Sequence, residues 1–251
     1  MMNMTNVGTP SPLRQVVRVC DFQGFPTKGH AMQAMHLSQR QFRSPQVCSE
    51  LNDLLSELPR AADATLIADV LAECATPGET LIVGVTGSVA SGKTTFCTAV
   101  ADRLRSTMRV EVVSTDGFLL PNSELTQRGL ILRKGYPESY DVNLMSGVLQ
   151  RARWGPVRTP GYSHTTYDRA AELDRTIDRP DIVLVEGLGL SPTGKPRDPS
   201  AFLDLLIYID ASEQDLEAWF VRRFMNLWRE AETNPHSFYA RFRSMTENEA
   251  D

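Results

Sequence analysis

The sequence predicts an α/β fold, a three-layer sandwich with a mostly parallel sheet flanked by helices, together with an N-terminal extension of different character. Two observations carry this. Four apolar, β-branched runs of strand length, TLIVGVT (80–86), VEVVST (110–115), DIVLVEG (181–187) and FLDLLIYID (202–210), alternate with stretches of helical spacing. Apolar runs that could be buried on both faces, set far enough apart for crossover helices, belong to parallel sheets. In addition, the glycine-bracketed stretch GSVASGKT (87–94) stands between the first run and a helical stretch in which Phe96, Val100 and Leu104 recur at intervals of four. It fits the pattern G-x-x-x-x-G-K-S/T at Gly87, Gly92, Lys93 and Thr94, in the strand–loop–helix context that pattern requires.

The elements follow in order. Residues 1–46 read as a flexible basic extension. Up to residue 45 they hold five Lys/Arg and one acidic residue, a charge of +4 against −9 for the remainder, with no sustained periodicity. An acid-poor, arginine-containing N-terminus is also the composition of an organelle transit peptide, but a solvated tail is the commoner case, and there is no charged-then-apolar secretory pattern. Residues 47–78 carry leucines at helical intervals interrupted by Pro59 and read as two short helices. From residue 79 to 251 the alternating pattern defines one domain. A chain of 251 residues can bury one α/β core of this kind with a small appendage left over.

Composition narrows the function. The net charge of −5 gives no global attraction to nucleic acid. No run approaches the roughly 18 apolar residues of a membrane span. Four cysteines without a C-x-x-C pair read as reduced thiols of a cytoplasmic protein, with neither a disulfide frame nor a zinc site. Any anionic substrate must therefore be drawn by local charge.

The local charge lies at the carboxyl ends of the strands, where open parallel sheets gather their ligands. In the run Gly87, Ser88, Val89, Ala90, Ser91, Gly92, Lys93, Thr94 and Thr95, backbone N–H groups and the helix N-terminus can cradle a polyphosphate. This is the phosphate loop (P-loop) of nucleoside-triphosphate-binding proteins, so the expected sandwich is of the P-loop NTPase kind and the expected nucleotide is ATP. Lys93 can reach the β- and γ-phosphates, and the Thr94 hydroxyl can ligate Mg2+. Asp116 follows the second strand and Glu186 closes the third. A carboxylate at either place can take a proton from an attacking hydroxyl or anchor magnesium. Taken singly, each is as well explained by closing a strand or capping a helix. The N-K-x-D motif of GTPases and the L-S-G-G signature of transporter ATPases are both absent. Instead, segments rich in Tyr, His, Arg and Lys (TDGFLLPN, RGLILRKGYPESYD, PGYSHTTYD) lie between the second and third strands, where a small-molecule acceptor would be held.

From about residue 81 onward the chain resembles bacterial type I pantothenate kinase, within the uridine kinase and phosphoribulokinase group. The resemblance rests on GSVASGKTT, TDGFLLPN, RGL with KGYPESYD, YSHTTYD, DIVLVEGL, and the helix DLEAWFVRRFMNLWRE followed by NPHSFYARF. It implies ATP-dependent phosphorylation of the primary hydroxyl of pantothenate, the first step toward coenzyme A, by a homodimeric cytoplasmic enzyme using Mg2+. Matched by position, it makes Asp116 the base, Lys93 and Arg223 the charge clamp on the transferring phosphoryl, Thr94 and Glu186 the magnesium holders, and Tyr162, His164, Phe220 and Phe224 the pantothenate contacts. The last two also belong to the stripe Leu216, Phe220, Phe224 and Leu227, which by spacing alone reads as core. Arg222, adjacent to Arg223, reads as a solvated charge.

Residues 1–78 carry no resemblance. Within the matching part, Phe220 replaces a tyrosine of the pocket, and Gly189 stands where the family has asparagine. Thr98 replaces an arginine associated with inhibition by coenzyme A, which argues against carrying that control over. Relatives continue past SMTENEAD through a helix, a nucleotide-side loop and a last strand, so the expectation is a domain lacking that part, with an unpaired sheet edge. A kinase of a nucleoside or other small alcohol, and a nucleotide-binding relative without catalysis, are the alternatives.

Overall fold

The computed structural model describes residues 16–20, 63–194, 197–234 and 237–245. In chain order the elements are β1 (Val16–Cys20), α1 (Ala64–Cys74), β2 (Leu81–Gly87), α2 (Lys93–Leu104), β3 (Val110–Ser114), α3 (Asn122–Gln127) and α4 (Val142–Ala152). There follow β4 (Pro156–Thr159), β5 (Tyr162–Ser163), β6 (Asp168–Arg169), β7 (Arg175–Asp178), β8 (Ile182–Glu186), β9 (Leu205–Asp210) and α5 (Glu213–Glu230). The four expected strands are β2, β3, β8 and β9.

Helix starts follow capping chemistry. Asp63 accepts the Leu66 N–H at 2.9 Å, Asp141 the Leu144 N–H at 2.9 Å and Ser212 the Asp215 N–H at 3.1 Å. Each satisfies a donor that the helix itself leaves open.

The main sheet runs β1-β9-β2-β8-β3, with β9, β2, β8 and β3 parallel and β1 antiparallel against β9. Alternation along the strands divides the core into two layers. Leu81, Val83 and Val85 of β2, Ile182 and Leu184 of β8 and Leu205, Ile207 and Ile209 of β9 pack with α1 and α2. Ile82, Val183, Val185 and Leu206 face the other way, toward Met145, Val148 and Leu149 of α4. The period-two exchange of faces yields the three-layer sandwich read from the sequence.

Two findings concern the N-terminal region. Within the segment read as a flexible extension, residues 16–20 form β1, so β9 does not present the unpaired edge expected from the sequence. Of the two helices expected over 47–78, α1 lies in the second half; residues 47–62 are outside the described part.

At the end of the sheet away from the phosphate loop, Arg153, just past α4, is buried against Asp204. Its Nη1 donates to Asp204 Oδ2 at 3.0 Å and to the Thr80 carbonyl at 2.8 Å, and Nη2 donates to the Phe202 carbonyl at 2.9 Å. Asp204 Oδ2 also accepts the Ile82 N–H at 2.7 Å. One ion pair thus joins the end of α4 to the starts of β2 and β9.

Candidate active site

The site forms where the parallel strands end. Gly87 closes β2 at φ 149°, and a Cβ there would stand 2.3 Å from the Ile209 carbonyl oxygen of β9. Only glycine lets the loop leave its strand so close to the neighbouring one. Ala90 holds a left-handed φ of 63°, the kind of backbone strain that gathers at functional loops. The Lys93 ammonium donates to the carbonyls of Ser88 at 2.7 Å and Gly87 at 3.2 Å, so it lies folded over the loop.

A cavity of about 530 Å³ opens above this loop. Val89, Ala90, Gly92, Lys93, Thr94 and Thr95 form its floor, and Ser91 is fully buried beneath it. Asp116, in the 3-10 turn Thr115–Phe118 that follows β3, lines the same cavity, as do Glu186 at the end of β8 and Arg223 of α5. Tyr162 and His164 line the acceptor side, with ring centroids 5.2 Å apart in an edge-to-face arrangement.

The two carboxylates stand near enough to interact, and a glycine beside one lets it approach the turn that carries the other. Gly187, which follows Glu186, sits at φ 138°, and a Cβ there would fall 1.9 Å from Thr115 Oγ1, next to Asp116. Burial pushes the Glu186 carboxyl above the usual range, aided by the Asp116 charge and opposed by hydrogen bonds from Ser114 and Thr94 and by Lys93. Burial also lowers the Lys93 ammonium, against the pull of Glu186 and Asp116 and with the push of Arg223. Burial and then Asp116 raise the Tyr162 hydroxyl, which stays protonated as a hydrogen-bond donor.

Glu186 beside Thr94 fits a magnesium ion of the kind completed by substrate phosphates and water. Among the described residues no cluster of three or more His, Cys, Asp or Glu forms a metal cage. Such an ion needs only one or two protein ligands.

Two expected contacts stand apart from the cavity lining. Phe220 is 52% exposed and does not line the cavity. The residue on the Arg223 face of α5, one turn earlier, is Trp219, which does line it. Phe224 packs edge-on against Tyr239 and Phe242 in an aromatic cluster outside the cavity. The stripe is not deep core either, because Met225 is the one buried residue of α5.

Lys134 was not picked out by the sequence reading. Its ammonium lines the cavity, donates to Asn122 Oδ1 at 2.6 Å and to the Tyr167 carbonyl, and stands 5.2 Å and 5.6 Å from the ring centres of Tyr162 and Tyr167. Asn122 in turn donates from Nδ2 to the Tyr167 carbonyl at 3.2 Å and from its backbone N–H to Asp168 Oδ1 at 3.0 Å. One lysine therefore ties together TDGFLLPN, KGYPESYD and YSHTTYD. The available signal was its position at the head of KGYPESYD as one of only four lysines in the chain.

Comparison with known proteins places this geometry among kinases. Residues 82–237 match the Phosphoribulokinase / Uridine kinase family. A pantothenate kinase from Vibrio cholerae is 39% identical over 182 residues, covering 68% of this chain and 58% of its own length. One from Xanthobacter autotrophicus is 44% identical over 181 residues, covering 67% of this chain and 56% of its own. The chain thus spans somewhat over half the length of these curated relatives. A crystal structure from Silicibacter sp. TM1040, described as a candidate fructose transport system kinase, superposes with a TM-score of 0.60 at 27% identity, covering 66% of this chain and 82% of that one.

Proposed function

The chain belongs to the phosphoribulokinase and uridine kinase family, and from that premise we propose that it transfers the γ-phosphoryl group of ATP to the primary hydroxyl of pantothenate. The observation that carries the reading is the shared lining of one cavity. Lys93 and Asp116 face the same space as Tyr162 and His164, so phosphate cradle, carboxylate and acceptor wall are contiguous. The similarity to pantothenate kinases supports the choice of acceptor.

The residues divide the work of phosphoryl transfer, which needs positioning and charge neutralisation more than covalent help. ATP with magnesium supplies the transferable group, and Thr94 with Glu186 would hold the metal. Lys93 and Arg223 approach the phosphates with positive charge. Asp116 takes the proton of the attacking hydroxyl as its oxygen bonds to the γ-phosphorus and the bond to the bridging oxygen of ADP breaks. Tyr162, kept protonated, donates a hydrogen bond to the acceptor, and His164 stands at its ring edge. A base in this role contributes about 10²–10⁴-fold, or about 3–5 kcal/mol of barrier.

The test is ADP release by the full chain with pantothenate and, separately, with uridine. Pantothenate-dependent release is expected, with Asp116→Asn lowering turnover about 10²–10⁴-fold while ATP binding changes little. No acceptor-dependent release, or near-normal turnover in the variant, would remove the reading.

A further inference from the structure

Two buried hydroxyls beside Asp116 take no part in the chemistry described so far. Tyr140 lines the main cavity and is 6% exposed, yet its Oη is buried and, among the described residues, meets no hydrogen-bond partner. Thr115, immediately before Asp116, is fully buried, and its Oγ1 is likewise without a hydrogen bond. A buried polar group left unpaired is costly, and native proteins keep few of them.

Main chain fixes Tyr140 relative to the turn that carries Asp116. The Leu120 N–H donates to the Ser139 carbonyl at 2.8 Å and the Asp141 N–H to the Phe118 carbonyl at 2.8 Å, with Leu119 and Tyr140 bridged antiparallel between them. Phe118, Leu119 and Tyr140 also share one core layer with Val185 of β8. The ring is thus anchored by packing and by backbone, as a group that orients a functional side chain must be.

The charges point the same way. Burial and then Asp116 push the Tyr140 phenol above its ordinary value, the Thr115 hydroxyl opposes them, and Glu186 adds to the push. The phenol therefore stays protonated, and Thr115 Oγ1 is close enough to act on it without meeting hydrogen-bond geometry. Among the described residues the Asp116 carboxylate accepts no hydrogen bond. A catalytic base is commonly oriented by a third group. Building on the kinase reading above, we propose that Tyr140 is the positioning residue for that base: with substrates in place, Tyr140 Oη donates to one carboxylate oxygen of Asp116 and accepts from Thr115 Oγ1. The second carboxylate oxygen is then left facing the acceptor hydroxyl. A phenol can donate one hydrogen bond while accepting another, so the relay satisfies both orphaned hydroxyls.

The experiment is a double-mutant cycle on the full chain with ATP, magnesium and pantothenate, comparing wild type, Tyr140→Phe, Asp116→Asn and the double variant, with thermal melts of each. Tyr140→Phe keeps the ring and removes only Oη. It should lower kcat about 10–100-fold, the loss of one hydrogen bond to a charged group, while KM for both substrates stays within about twofold. Its melting temperature should not fall, because the hydroxyl removed is unpaired in the ligand-free chain. In the Asp116→Asn background the same change should cost no more than about twofold, because the two residues act as one unit. Thr115→Val should lower kcat severalfold, with Thr115→Ser recovering part of the loss. Wild-type kcat in Tyr140→Phe overturns the positioning role and leaves the kinase reading standing. So does an equal loss in both backgrounds, which would mean that Oη acts apart from Asp116, or a raised KM with a lowered melting temperature, which would make Oη a packing group. A wild-type chain without pantothenate-dependent turnover overturns the proposed function and the positioning role together.

Discussion

At the scale of single residues, Lys134 shows how a charged group can serve a site through its neighbours. Its donors go to Asn122 and the Tyr167 carbonyl, so its loss loosens the hairpin that carries Tyr162 and His164. Lys134→Met is expected to raise the pantothenate KM about tenfold or more and leave ATP affinity unchanged, checked by steady-state kinetics and calorimetry. Glu186 gives a pH signature. Because burial raises its pKa, the folded state favours the protonated carboxyl. The unfolded chain holds fewer protons between the ordinary carboxylate pKa and the raised one, so stability falls as pH climbs through that window and stays lowered above it. Ligand-free Glu186→Gln should therefore melt above wild type at neutral pH, with the gap closing as pH drops below the ordinary carboxylate range. Thermal melts of both proteins between pH 4 and 7 would show it. Asp116 and Glu186 were legible in the sequence because each ends a strand, which is local information. Lys134 was not, because its partners lie 12 and 33 positions away and meet it only in the folded chain.

At the scale of elements, α5 marks where sequence reasoning stops. Its start was legible in Ser212 and Asp215. Its length was legible in its periodicity. Its rotation about its own axis was not, because that is set by what it packs on, and here it rests on the mouth of a cavity with little core beneath it. The resemblance gave Phe220 a place at the acceptor and the helical stripe gave it a place in the core, whereas the α5 residues that line the cavity are Trp219 and Arg223. Phe220→Ala should accordingly change stability by no more than about 0.5 kcal/mol, as exposed substitutions do, with the pantothenate KM unaltered. Denaturant titration and kinetics on the same variant test both halves, and a large rise in KM would return Phe220 to the acceptor site. The strands fared better. β2 and β8 are buried on both faces and β9 nearly so, so composition alone marks them, while the edge strand β3 is marked by its β-branched run.

At the scale of the whole molecule, the sandwich was legible because alternation of strand and helix leaves few ways to wind a parallel sheet. The antiparallel β1 was not, since five residues in a glycine- and proline-containing stretch carry no periodic signal until β9 offers them an edge. Its pairing runs from Val16 opposite Asp210 to Cys20 opposite Leu206. A chain beginning at residue 21 would leave that side of β9 open and is expected to self-associate, because an unpaired edge templates further strands. Light scattering of the shortened and full chains at equal concentration would decide it, and a monodisperse shortened chain of unchanged size would show that β1 does not protect the edge. One contact reaches further than the rest. Gly187 abuts the Thr115 side chain with no room for a methyl group, so bare backbone after Glu186 meets the side chain that precedes Asp116. A bulkier residue at either position would therefore wedge the two acid-bearing turns apart, so the pair's geometry depends on a glycine and a small hydroxyl that carry no charge of their own.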